Sequence, residues 1–218
     1  MIAMFMVVAV ISAPVASSDE PVAAKPEADS GQTWSVVGGR TVGEGHGAIE
    51  GAVGWPGVSV AYLRGAAPQF DAGLRASFMY GREGLVSGVL PGVKLQGLLK
   101  LRLFTSGNLS LAATFEPGPY FNVEYGLTVW GFALPVGVRL GIAASSALTL
   151  GISFDVPLWV QFGPAGGVNV PFLPGVGVEY FVKSNLLVFA RARMGPTLRP
   201  YRLAEFTLDA QLGIGWRM

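Results

Sequence analysis

The chain has 218 residues, of which 51% are hydrophobic and only 13% charged, with a formal net charge of +1 and a mean hydropathy of +0.49. Soluble domains usually carry about 25% charged residues. The near-neutral balance excludes an electrostatic case for nucleic-acid binding, and the absence of cysteine excludes disulfides, thiolate metal sites and a lipoprotein anchor.

Residues 1–18 read as a cleaved secretory signal peptide. Ile2 to Ile11 form an apolar stretch, S-A-P-V-A-S-S follows, and Ala16 and Ser18 supply the small residues of a cleavage site. Residues 19–41 are expected to be a flexible periplasmic tail, because Asp19 to Gln32 is polar, rich in Pro and Ala, and aperiodic. Beyond the leader no apolar run reaches about eighteen residues. So apolar a chain then has either a greasy soluble core or a membrane β-barrel.

From Val42 to Met218 the sequence resolves into about ten alternating segments. Tight turns separate them in pairs, at Ala66–Gln69, Ser106–Asn108, Ser145–Ala147 and Lys183–Asn185. Trp55-Pro56-Gly57 is short, and the other connections, Arg82–Gly92, Pro117–Gly126, Gly163–Val168 and Pro196–Leu203, are longer. The predicted fold is all-β, an antiparallel up-and-down transmembrane β-barrel of about ten strands over 42–218. Eight is the alternative if Val42–Arg64 forms no regular hairpin. An even count puts both chain ends on the short-turn, periplasmic side.

One alternate set in each segment is bulky and apolar, as in Leu148, Leu150, Ile152, Phe154 and Val156. The other is small or charged, as in Thr149, Gly151, Ser153 and Asp155. A small soluble barrel fills its interior with large apolar residues. Bulky-out with small-and-charged-in fits a lipid-facing wall around a tight polar lumen. The expected lumen set is Glu44, His46, Glu50, Asp71, Arg75, Lys94, Lys100, Arg102, Glu116, Arg139, Asp155, Glu179, Arg191, Arg193, Glu205 and Asp209. It mixes signs, so it reads either as a charged pore lining or as a salt-bridged plug. Arg191 and Arg193 would form an anion-attracting constriction or pair with Asp209 and Glu205 on the next strand. Trp55, Tyr80, Trp130, Phe206 and Trp216 read as interfacial girdles.

Pro56, Pro117, Pro135, Pro157, Pro174 and Pro196 each lie about nine to eleven residues from a short turn, a transmembrane strand's length. Proline cannot donate to a ladder. The spacing predicts a proline ring at the outer rim, where strict pairing ends.

The last fourteen residues, E-F-T-L-D-A-Q-L-G-I-G-W-R-M, alternate to the final residue. Their Gln211, Gly213, Trp216 and Met218 match the polar, glycine and hydrophobic positions of a barrel-insertion signal, with Met where Phe is usual. Here the chain resembles the small bacterial outer-membrane β-barrels, the broad class of the OmpA transmembrane domain and of OmpX- and OmpW-type proteins. The resemblance covers nearly all of the mature chain and is architectural. It implies the outer membrane as location, with membrane lipid, the barrel-insertion machinery and periplasmic chaperones as partners. It leaves oligomeric state open and implies no cofactor, metal or nucleic-acid partner. The expected role is structural or that of a narrow pore. A lipid-modifying barrel enzyme using His46, the only histidine, is an alternative, although no serine carries a nucleophile motif. A soluble exported β-barrel binding an apolar ligand is another.

Overall fold

The computed structural model describes residues 32–81, 89–124, 127–162, 166–198 and 205–218. The expected leader and residues 19–31 of the expected tail lie outside these described residues. Among them, the alternating segments form β1 (Gly47–Trp55), β2 (Gly57–Ala67), β3 (Phe70–Gly81), β4 (Val89–Ser106), β5 (Leu109–Phe115) and β6 (Gly118–Glu124). They continue with β7 (Leu127–Ala143), β8 (Leu148–Phe162), β9 (Gly167–Pro171), β10 (Leu173–Lys183), β11 (Leu186–Leu198) and β12 (Glu205–Arg217). All the strand pairings are antiparallel, and β12 closes on β1 from Ala48↔Arg217 to Trp55↔Ala210. The sheet is a closed up-and-down barrel.

Twelve strands make ten staves. β5 and β6 pair with the same neighbours, β4 and β7, and β9 and β10 with β8 and β11. The first hairpin is regular from Gly47↔Arg64 to Val53↔Val58, which removes the eight-strand alternative. It starts at Gly47, five residues later than expected. The four tight turns stand where the sequence puts them, all at one mouth of the barrel. At the other mouth the strands run further than expected. Gly118–Glu124, read as loop, continues its stave, and so does Gly167–Pro171, whose first two residues read as loop.

The proline ruler fails. Pro135 faces Pro157 inside an unbroken β7–β8 ladder that runs from Trp130↔Phe162 to Ala143↔Thr149. Pro196 pairs with Phe206 and Pro174 with Phe154, with pairs continuing on both sides. The wall accommodates the missing donors locally. Glu116 N donates to Pro135 O (2.9 Å), and the Glu116 carbonyl, which proline cannot serve, accepts from Gln96 Nε2 (2.7 Å). The β8 register with β9 and with β10 is continuous, so Pro157 falls opposite Pro171. Neither has an N–H, and the eighth stave, β9–β10, is interrupted there.

The two faces differ as the alternation predicts. Leu74, Leu95, Val176, Leu212 and Ile214 point outward and are half or more exposed. Glu50, Asp71, Lys100, Glu179 and Asp209 point inward and are buried. Trp130, Phe206 and Trp216 are exposed on the outer face. Trp55 and Tyr80 are instead half-buried, their rings 6.0 Å apart, with Tyr80 Oη donating to the Gly54 carbonyl.

Candidate functional site

The lumen holds two layers. At the short-turn mouth it is filled by residues 32–42, which comprise the C-terminal part of the expected flexible tail and Val42, the expected start of the barrel. Here the tail reading is corrected: Gln32, Trp34, Ser35, Val36, Val37, Thr41 and Val42 are all buried inside the barrel. The segment has no regular secondary structure, so its backbone groups need partners from the wall. Charged wall residues supply them. Glu179 accepts from Val36 N (2.8 Å) and Val37 N (3.1 Å), and Asp71 accepts from Val42 N. Lys100 Nζ donates to the carbonyls of Ser35 (2.8 Å) and Arg40 (2.7 Å). Arg139 donates to Val36 O and Arg217 to Val42 O.

The same segment is stitched to all four tight turns. Gln32 Nε2 donates to Ser145 O, Trp34 Nε1 to Ser184 O, Arg40 to Gly107 O and Thr41 Oγ1 to Pro68 O. Its apolar side chains, Trp34, Val36, Val37 and Val42, pack on Ala48, Ala52, Phe181, Leu187 and Phe189. Trp34 meets Phe181 edge-on at 6.1 Å.

The inward glycines now have a reason. A Cβ at Gly151 would come within 2.9 Å of Val37, one at Gly141 within 2.9 Å of Gly38, and one at Gly215 within 2.9 Å of Trp34. Conversely, a Cβ at Gly39 would meet the wall backbone at Leu111 N, 2.5 Å away. The small residues read as the lining of a tight lumen make room for the chain's own N-terminal segment.

Above this layer lies a belt of alternating charge. Glu116 binds Arg75 (2.5 Å) and Arg139 (3.2 Å), while Glu50 binds Arg191 (3.1 Å) and Arg75 (3.5 Å). Arg193 binds Asp209 (2.7 Å) and Asp155 (3.5 Å). Arg191 also donates twice to Gln211 Oε1. Of the two readings for Arg191 and Arg193, the pairing one is seen, with Asp209 as expected and also with Asp155, Gln211 and Glu50. The belt spans the lumen from β1 to β12. Among the described residues, three cavities inside the barrel are about 40, 40 and 30 Å³, each room for a water or so.

No family model matches the chain, and no curated protein is significantly similar to it. The reading of the lumen therefore rests on its own geometry.

The remaining expected residues divide by position. Lys94 is buried inward, 5.3 Å from the Trp159 ring centroid, and Arg102 and Glu205 are half-buried on the inward face. Glu44 and His46 leave the set. Both are exposed in the turn before β1, where the His46 Nδ1 lies 3.0 Å from the Glu44 carbonyl oxygen. They sit there because β1 begins only at Gly47, and the left-handed Gly43 and Gly45 turn the chain out of the mouth. Of the insertion-signal residues, Gln211 and Gly213 face inward, while Trp216 and Met218 are exposed outward. Among the described residues no group of three His, Cys, Asp or Glu side chains is placed to hold a metal ion.

Sequence reasoning missed the lumen segment and the residues that receive it, notably Ser110, Phe181 and Leu187. A signal was present: Trp34, Val36 and Val37 interrupt an otherwise polar stretch.

Proposed function

We propose that this chain is an outer-membrane β-barrel with a structural role, closed at rest by its own N-terminal segment and its arginine–carboxylate belt. One observation carries the reading. The outward face is bulky, apolar and exposed around the barrel, while the charges are inside. Water would penalise such a surface, since large contiguous apolar patches are rare on soluble monomers. Lipid makes it the favourable face. The thirteen residues of β12, at ~3.3 Å each and a tilt of ~40°, climb roughly 33 Å, enough for an apolar band of ~25 Å.

The closed state follows from the lumen. Among the described residues, water-sized cavities lined by paired charges leave little room inside the barrel for a solute or an apolar ligand. That favours the salt-bridged plug over the open pore lining and over the soluble ligand-binding barrel. Nothing around His46 adds support to the lipid-enzyme alternative. The experiment is planar-bilayer recording on the purified chain, paired with detergent extraction and heat-modifiable migration on gels. The expected result is a heat-modifiable, detergent-requiring protein with no steady conductance. A chain that stays monomeric in buffer without detergent would sink the membrane reading, and a steady ohmic conductance would sink the closed state.

A further inference from the structure

We infer that residues 32–42 form a hinged lid on the short-turn mouth, able to leave the barrel while the wall stays folded. The closed barrel proposed above is then one of two states. The inference needs only the barrel and the segment in its mouth, so it stands or falls separately from the membrane reading.

The geometry of attachment points this way. The segment lies across the mouth and touches all four turns, so it leaves toward solvent without passing any part of the wall. It contributes no strand to the sheet, and its removal breaks no strand ladder. Its one covalent link to the barrel is the turn Gly43–Gly47. That turn is itself pinned, with Gly45 N donating to Gly65 O (3.0 Å) and Gly65 N to His46 O (2.9 Å). Rotation therefore falls at Gly43, just before the pinned residues, where φ is +94° and glycine has most freedom.

The groups left behind are suited to water. The lid is held mainly through its backbone, by Asp71, Lys100, Arg139, Glu179 and Arg217. These are two acids and three bases, and Asp71 and Lys100 are direct cross-strand partners. When the lid leaves, Lys100 exchanges two carbonyls for its neighbouring carboxylate and water. An apolar wall would be stranded by the same movement. The cost of opening is concentrated in Trp34, Val36, Val37 and Val42, a small part of what holds the barrel together.

The full-length chain, which has no cysteine, permits a direct test. Val37→Cys is reacted with a charged, membrane-impermeant thiol reagent on the folded protein in detergent micelles. Val37 is 6% exposed, so its thiol reacts only when the lid is open. Ala133→Cys, fully buried on β7 beside Met79, Tyr120 and Trp159 and away from the lid, reports global unfolding, and Asn108→Cys, exposed in a turn, reports the unhindered rate. Val37→Cys should react at least ten-fold faster than Ala133→Cys and more slowly than Asn108→Cys. In Val37→Cys/Gly177→Cys, where the two Cβ positions lie near 3.1 Å, oxidation should stop labelling and reduction restore it. Amide exchange of the unsubstituted chain gives an independent reading. Val36 and Val37 N–H should exchange at least ten-fold faster than the Ala112 amide. Equal rates for Val37→Cys and Ala133→Cys, or equal amide protection, would overturn the lid and make the segment a permanent part of the core.

Discussion

Gly39 and Glu116 show what single residues decide in this lumen. Gly39 passes so close to the β5 backbone that any side chain must push the segment away from Ser110 and Leu111. Gly39→Ala should destabilise the folded chain by about 1–3 kcal/mol, the usual cost of overpacking, read as a lowered denaturant midpoint in micelles. Glu116 binds both Arg75 and Arg139. Glu116→Gln preserves its volume but leaves two guanidinium groups facing each other. Removing one partner of a buried ion pair costs about 3–5 kcal/mol, so its midpoint should fall further than that of Gly39→Ala. A neutral Glu116→Gln would show that water, and not the carboxylate, balances the belt.

At the scale of the element, the interrupted stave is the informative feature. Glu116 N reaches Pro135 O, so Pro135 faces β5–β6; its partner Pro157 then faces the eighth stave, β9–β10. Phe172 N reaches Pro196 O, so Pro171 faces back toward β8. The two prolines meet where the ladder calls for a reciprocal pair of hydrogen bonds, and neither can donate. Pro171→Val restores one donor opposite the Pro157 carbonyl. The residue 171 amide should appear as a slowly exchanging N–H, with β9 and β10 joined into one strand by its pattern of protection. A fast-exchanging amide at 171 would mean that the break has a cause other than proline register.

The whole molecule turns on which solvent the barrel meets. Leu74 is 61% exposed near the middle of β3, on the outer face. In a water-soluble barrel Leu74→Arg would change stability by no more than about 0.5 kcal/mol. Against lipid, an arginine near the bilayer midplane costs ~2–4 kcal/mol. The chain refolded into lipid vesicles should show the larger loss by denaturant titration, and a loss within error of zero would favour the soluble alternative. The same scale explains why the interior can be so polar. With the apolar face turned out, every charge must find its partner across the lumen, and the belt from Glu50 to Asp209 is the result.

The alternation of β12, β8 and β3 was enough by itself to determine strand type, facing and approximate number, because side-chain direction in a strand is a purely local consequence of the backbone. The tight turns were legible for the same reason. The inward position of Arg75, Lys100, Asp155 and Arg193 followed from parity alone. Three things were decided only in the folded chain. Which charges pair depends on register across staves distant in sequence, as when Glu50 of β1 meets Arg191 of β11. Whether a proline ends a strand depends on which neighbour its missing N–H would have faced, and that is set by pairing, not spacing. The filling of the lumen depends on a segment with no periodicity. Residues 32–42 are held by contacts to partners up to 184 residues away, and apart from Trp34, Val36 and Val37 nothing local distinguishes such a segment from a solvated tail.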